Sequence, residues 1–99
     1  MIAIVVQGEE FVVNKDKLKQ ESLFFRTLFE VRRRPTWYYK IPPTLCVTTD
    51  AFAAIAEYLG TGLLPSDCSH IRNVYKAAVY LDMPEVRHQC YTLSTYKIS

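Results

Sequence analysis

The sequence has 99 residues, of which 49% are hydrophobic and 22% are charged; this composition excludes a disordered chain, and the length excludes more than one domain. The formal net charge is +2, and apart from Arg32, Arg33 and Arg34 the basic residues are scattered, so direct nucleic-acid binding is not expected. The apolar run over 2–6 ends far short of the roughly twenty residues that a membrane span requires, so no membrane partner is expected either.

The chain opens with a pattern that predicts a β-hairpin. Strand-forming runs over 2–6 and 11–13 flank a segment in which Gly8 can adopt the positive φ that a tight turn requires. Asn14 follows, and its side chain can accept a hydrogen bond from the free amides at the start of a short polar helix over 15–21. The hairpin is therefore expected to lead directly into a helix.

Two further features complete the first third of the chain. Leu18 is the apolar residue that the short helix directs inward, and Ser22 is placed to cap a second helix. In the second helix, apolar residues recur at i, i+4 and i+7 and predict a deeply packed face. This face comprises Phe24, Phe25, Leu28, Phe29 and Val31.

The middle of the chain predicts a strand and a helix. The aromatic run over 37–41 has strong strand propensity, and we expect this strand to pair with the hairpin. Thr48 or Thr49 then caps a helix that Gly60 and Gly62 are expected to stop. The inward residues of this helix are Phe52, Ile55, Ala56 and Leu59.

The last third predicts two helices in succession. Asp82 and Glu85 have the spacing of a capping box, with Asp82 as the cap and Pro84 in the first turn of the last helix. The inward residues of the earlier helix are Ile71, Val74, Tyr75, Ala78 and Leu81, and those of the last helix are Val86, Cys90 and Leu93. Strands early and helices late, without an internal repeat or a linker, indicate a single α+β domain over 1–99.

Several short motifs occur along the chain in a set order. The first half contains Gln7-Gly8-Glu9-Glu10-Phe11, then Leu18, then Ser22-Leu23-Phe24-Phe25-Arg26-Thr27-Leu28-Phe29. The second half contains Ala51-Phe52, Glu57-Tyr58-Leu59-Gly60-Thr61-Gly62-Leu63, Ala77-Ala78, Tyr80-Leu81-Asp82-Met83 and Cys90. Together these motifs resemble the BTB/POZ family over nearly the whole chain, and its Kelch-like and zinc-finger-associated members in particular.

The resemblance implies both a fold and a function. The fold is α+β, with a small three-stranded sheet and a cluster of about five helices. The function is protein interaction: oligomerisation and partner recruitment, as in the adaptors of cullin-RING ubiquitin ligases. The alternative is a purely structural homo-oligomerisation domain, or a transcriptional co-repressor platform, that does not bind cullin. Dimeric relatives carry a further helix and strand before the hairpin, exchanged between partners, and this sequence resembles a short form without them.

The family also suggests where a cullin scaffold would bind. Kelch-like relatives use a loop after the phenylalanine-rich helix, with a hydrophobic residue followed two positions later by glutamate. Arg33 and Pro35 stand about where that pattern would lie, so the acidic contact is missing. An unmatched charge across an interface costs enough to prevent weak binding. Cullin binding is therefore expected less of this chain than of the family.

The segment from Glu30 to Tyr39 is the candidate partner-binding surface. Arginine and aromatic residues are enriched at protein interfaces, and a strand can bury only alternate side chains, so an aromatic residue of 37–39 must face outward. The alternative is that the arginines are merely solvated and a helix of the same domain covers the aromatic residues. The candidate residues are Glu30, Val31, Arg32, Arg33, Arg34, Trp37, Tyr38 and Tyr39.

Cysteine and histidine positions give no indication of a catalytic or metal site. Cys46, Cys68 and Cys90 are odd in number and unpaired in spacing, which favours a reducing compartment in the cytoplasm or the nucleus. Zinc bound by Cys68, His70, His88 and Cys90 would need side chains two positions apart to converge, although such side chains point in different directions on a helix. We therefore interpret Cys90 as a small core residue. No phosphate loop or nucleophile elbow is present, and we expect neither an enzyme nor a cofactor.

Overall fold

The chain folds as a small sheet on which helices pack. The computed structural model describes residues 1–31, 37–45, 47–65 and 71–98, with side chains up to residue 93. Within these ranges there are three strands and five α-helices, which confirms the predicted α+β fold. The elements are β1 (Ile2–Val6), β2 (Glu9–Val13), α1 (Lys15–Glu21), α2 (Leu23–Val31), β3 (Tyr38–Lys40), α3 (Thr49–Thr61), α4 (Ile71–Tyr80) and α5 (Pro84–Ile98).

Strand β1 lies at the centre of the sheet, whose order is β2-β1-β3. The predicted hairpin is confirmed: Gln7 and Gly8 both have positive φ, as a two-residue turn between right-twisted strands requires. This turn lets β2 begin at Glu9, two residues earlier than the strand-forming run indicated. Strand β3 pairs with β1 in parallel, with Ile4 opposite Tyr39.

Helix α2 is oriented differently from the sequence prediction. Phe25, rather than Phe24, is the fully buried residue of this helix, while Phe24 and Leu28 are only partly buried and Val31 is exposed. The reason is that Phe25 faces the sheet, where the Tyr39 ring meets the Phe25 ring edge-on with 5.7 Å between the ring centroids, while Val31 lies at the surface. The predicted deep packing of the whole apolar stripe was therefore wrong, and part of the stripe faces outward.

Helix α3 carries the centre of the core. Thr48, and not Thr49, is its N-cap, because the Thr48 side chain accepts a hydrogen bond from the Ala51 N–H at 3.1 Å. Of the two glycines expected to stop the helix, Gly62 does so: the helix continues through Gly60 to Thr61 and ends where Gly62 adopts φ 84°. This left-handed conformation costs glycine little, and it turns the Gly62 N–H onto the Tyr58 carbonyl at 2.7 Å.

The turn between α4 and α5 differs from the prediction that Asp82 caps α5. Asp82 is not the cap of α5; it adopts φ 52° and ends α4 in a left-handed conformation. The Met83 N–H donates to the Ala78 carbonyl at 2.9 Å and the Asp82 N–H to the Val79 carbonyl at 3.3 Å, the pair of bonds that closes a helix C-terminus. Pro84 is the first residue of α5, as predicted.

The core lies between the inner face of the sheet and the helices. Ile55 and Val74 are fully buried in it, and Phe24 packs against its margin. Cys90 is also buried there, as predicted, while Tyr75 is exposed although its spacing indicated an inward position. None of the helices in the described ranges is both long and apolar enough to span a bilayer.

Ser22 connects the two halves of the fold. Its buried hydroxyl donates to the Leu81 carbonyl at 2.5 Å and accepts from the Phe25 N–H at 3.2 Å. The next backbone amide, that of Leu23, donates to the Asp82 carbonyl at 3.1 Å. The N-terminus of α2 is therefore capped by Ser22 and attached to the turn that follows α4.

We predict that Ser22→Ala lowers the free energy of unfolding by about 1–3 kcal/mol, because it leaves a buried N–H and a buried carbonyl without partners. Urea denaturation measures this loss. Asn14→Ala is the matched control, since it removes a cap that bonds only to Lys17 within its own helix and should cost about 1 kcal/mol or less. Equal losses in the two variants would contradict the connecting role of Ser22.

Tyr58 forms a second link, between α3 and α1. Its hydroxyl donates to the Glu21 carboxylate at 2.9 Å. Burial, the hydrogen bond to Glu21 and the negative charge of Glu21 all raise the pKa of the Tyr58 hydroxyl above its usual value. The folded protein therefore retains the Tyr58 proton at an alkaline pH at which the unfolded chain has released it.

This difference predicts that Tyr58 makes the fold less stable as the pH rises above about 10, because the unfolded chain then loses a proton that the folded protein keeps. Tyr58→Phe should show a shallower loss of unfolding free energy between about pH 8 and pH 11 than the parent protein. Urea denaturation across that range provides the comparison. Parallel pH profiles for the two proteins would contradict the prediction.

Candidate protein-interaction surfaces

Only part of the predicted partner-binding surface, from Glu30 to Tyr39, lies within the described residues. Arg32, Arg33 and Arg34 lie outside the described residues. On one side, Val31 is exposed at the end of α2, and Glu30 forms an exposed ion pair with Arg26 at 3.5 Å. On the other side, the side chain of Trp37 is 71% exposed, which is unusual for so large an apolar group.

The two tyrosines of β3 point in opposite directions, as strand geometry requires. Tyr38 faces solvent. Tyr39 is partly buried and packs against the rings of Phe24 and Phe25, at centroid distances of 6.3 and 5.7 Å. Of the candidate aromatic residues, Trp37 and Tyr38 are therefore accessible to a partner, whereas Tyr39 mainly supports α2.

A larger apolar surface lies on the outer side of α2 and was missed by the sequence reasoning. It is an open groove of about 710 Å³ between α2 and the end of α4. Phe24 and Leu28 are partly buried in it, and Leu23 and Val31 are exposed. The residues that line this α2 groove are Leu23, Phe24, Thr27, Leu28, Val31, Val79, Tyr80 and Asp82.

The position of the α2 groove follows from the attachment of α2. Because Leu23 is hydrogen-bonded to Asp82, the first turn of α2 lies beside the last turn of α4. Val79 and Tyr80 are exposed there and extend the apolar surface of α2. The apolar spacing on α2 was recognised in the sequence, but only the bond to Asp82 shows which part of it faces outward.

A smaller cleft of about 320 Å³ lies between α4 and α5. Tyr75, Arg72 and Lys76 line it from α4, and Tyr91 lines it from α5. Cys90 lies beneath it, buried at 1% exposure. His88 is exposed on α5, whereas Cys68 and His70 lie outside the described residues, and no group of three metal-ligating side chains occurs in the described ranges.

The accessible features of this fold are apolar grooves and exposed aromatic side chains, which define it as a protein-interaction domain. The model of the BTB/POZ domain family matches residues 2–97, so the chain belongs to the BTB/POZ family, as its motifs indicated. Members of this family are non-enzymatic modules that mediate protein interactions and self-association.

Individual relatives agree with this assignment. The chain is 29% identical over 101 residues to zinc finger and BTB domain-containing protein 7A of Gallus gallus. The matched region comprises 98% of this chain but only 18% of that protein. The BTB domain of zebrafish PATZ1 superimposes with a TM-score of 0.77 at 19% identity, covering 99% of this chain and 75% of that chain. The BTB domain of human gigaxonin superimposes with a TM-score of 0.74 at 22% identity, covering 92% of this chain and 74% of that chain.

Proposed function

We propose that this domain self-associates through the α2 groove and thereby serves as an oligomerising scaffold for partner proteins. The observation that carries the proposal is the contiguous apolar surface formed by Leu23, Leu28, Val31 and Val79. Exposed apolar patches of this kind mark interaction sites. A second copy of the chain is the favoured occupant because BTB domains mediate self-association.

The composition of the α2 groove suits a two-fold interface. The partly buried Phe24 and Leu28 would form its apolar centre, and the polar groups of Thr27 and Asp82 lie at its margin, as in the polar rim of protein interfaces. A two-fold axis across α2 would bring the same patch of both copies together. The ion pair of Arg26 and Glu30 on the same helix would remain outside that patch.

A charge in the groove tests this proposal. Leu23 is 53% exposed and Leu63, on a loop away from the groove, is 67% exposed, so the two leucines form a matched pair. We expect Leu23→Glu to weaken self-association at least tenfold, because it buries an unpaired charge beside Asp82, and Leu63→Glu to leave it unchanged. Sedimentation equilibrium measures both; an unchanged dimerisation constant for Leu23→Glu would overturn the proposal.

Within that scaffold function, we favour a co-repressor platform for transcription regulation in the nucleus. The support is the similarity to a zinc finger and BTB domain-containing protein, a similarity that extends over 98% of this chain. In such an assembly, the paired domains would present a composite surface to a partner, and attached domains would select the target. The exposed Trp37 and Tyr38 are the candidate contacts on this chain for the recruited protein.

An adaptor of a cullin-RING ubiquitin ligase is the second candidate. Its support is that Val31 and Trp37, both exposed, stand on either side of the segment in which Kelch-like relatives bind the cullin. The sequence departs from the relatives within that segment, where Arg33 and Pro35 stand about where those relatives have the hydrophobic residue and the glutamate. The departure favours the co-repressor function over the adaptor function.

Restoring the pattern separates the two candidates. We expect the double variant Arg33→Leu with Pro35→Glu to bind the N-terminal domain of a cullin at least tenfold more tightly than the parent protein, because it removes a repulsive cation and supplies an acidic contact. Arg34→Leu with Thr36→Glu is the control, which introduces the same two residues one position further along the chain. Isothermal titration calorimetry measures the affinities. Tight binding by the parent protein itself would favour the adaptor function.

A further inference from the structure

The outer face of the sheet carries an apolar row across all three strands. Ala3 is paired with Val12 on one side and with Tyr38 on the other. These side chains point away from the helices, because the neighbouring Ile4 points into the core and successive residues of a strand alternate. Val12 is 62% exposed and Tyr38 is 54% exposed, although outward positions of a half-buried sheet are usually polar.

A second row on the same face is charged at both ends. Val5 is paired with Glu10 on β2 and with Lys40 on β3. Glu10 and Lys40 are two strand spacings apart, about 10 Å, and both are exposed. The ion pair found in the described residues joins Arg26 and Glu30, so neither Glu10 nor Lys40 is neutralised there. The outer face therefore presents an anion along one edge and a cation along the other.

We propose that this outer sheet face binds a second copy of the chain, face to face, about a two-fold axis nearly parallel to β1. Rotation about this axis exchanges the β2 edge and the β3 edge of the face and leaves the direction of the strands unchanged. Glu10 of each copy then meets Lys40 of the other, and Val12 of each meets Tyr38 of the other. Ala3 and Val5 lie on the axis. Val5 is only 9% exposed and Ala3 is partly buried, so the contact is carried by the exposed residues on either side of them.

The charges select this orientation. A two-fold axis across the strands would place Glu10 over Glu10 and Lys40 over Lys40, and like charges in an interface are strongly unfavourable. The axis along β1 replaces both repulsions with attractions. The same axis also preserves the apolar row, because Val12 and Tyr38 stand on opposite sides of Ala3. Of these two arrangements, the one about the axis along β1 makes the face complementary to itself.

The size of the face predicts a weak contact. Each edge strand is short, β3 having three residues, and the whole face is well below the roughly 800 Å² per partner of a standard stable interface. Association through it should require high protein concentration or linkage to another interface. The outer face is separate from the α2 groove, so this contact goes beyond the proposed function and would join pairs of domains into larger assemblies.

Charge reversal on the outer face tests the contact, with Leu23→Glu as the background so that the α2 groove does not contribute. In sedimentation equilibrium at high protein concentration, Glu10→Lys alone and Lys40→Glu alone should each weaken self-association at least tenfold. An equimolar mixture of these two variants should associate again, because one face then carries two cations and the other two anions. The double variant Glu10→Lys with Lys40→Glu should associate like the background protein.

Glu57→Lys and Lys76→Glu reverse exposed charges on helices and should leave the association unchanged. Val12→Thr tests the apolar row without a change of charge and should weaken association while thermal unfolding stays cooperative. Absence of self-association in the background protein, or mixed variants that associate no better than each variant alone, would overturn the proposal. If Leu23→Glu does not affect dimerisation, self-association through the α2 groove is contradicted, whereas the proposed contact through the outer sheet face is not.

Discussion

The buried hydroxyl of Ser22 is the interaction on which the arrangement of the helices depends. It satisfies the Phe25 N–H at the start of α2 and the Leu81 carbonyl at the end of α4, groups that are separated by more than half the chain. Buried backbone groups without partners are costly, so both helix ends must meet at this point. Phe25 is thereby directed into the core, and the opposite side of α2 is left uncovered.

The exposed apolar surface is a consequence of that attachment. A helix of nine residues with apolar side chains around much of its circumference cannot bury all of them against its own domain. Leu23 and Val31 remain outside, and exposed apolar area of this extent is stabilised when another molecule covers it. The same local sequence that fills the core of one domain therefore also provides the surface for joining it to another.

Features set by neighbouring residues could be predicted from the sequence, and features set by distant contacts could not. The hairpin at Gly8, the cap at Asn14 and the left-handed end at Gly62 each follow from the chemistry of one residue. Asp82 was misassigned because aspartate suits both a helix start and a left-handed helix end, and only the bonds of Met83 and Asp82 to α4 distinguish them. The outward side of α2 was missed because it is defined by Val79, Tyr80 and Asp82, which are distant from α2 in the sequence.

The strand order also bears on how the protein avoids fibrous aggregation. A sheet with open edges can template the addition of strands from other chains, which leads to cross-β stacks. Here β1 is protected on both sides, β3 is only three residues long, and β2 begins with Glu9 and Glu10. Short and charged edges resist such growth. Because the edges are unsuited to strand addition, a crowded solution of this domain should favour discrete contacts between folded copies over amyloid.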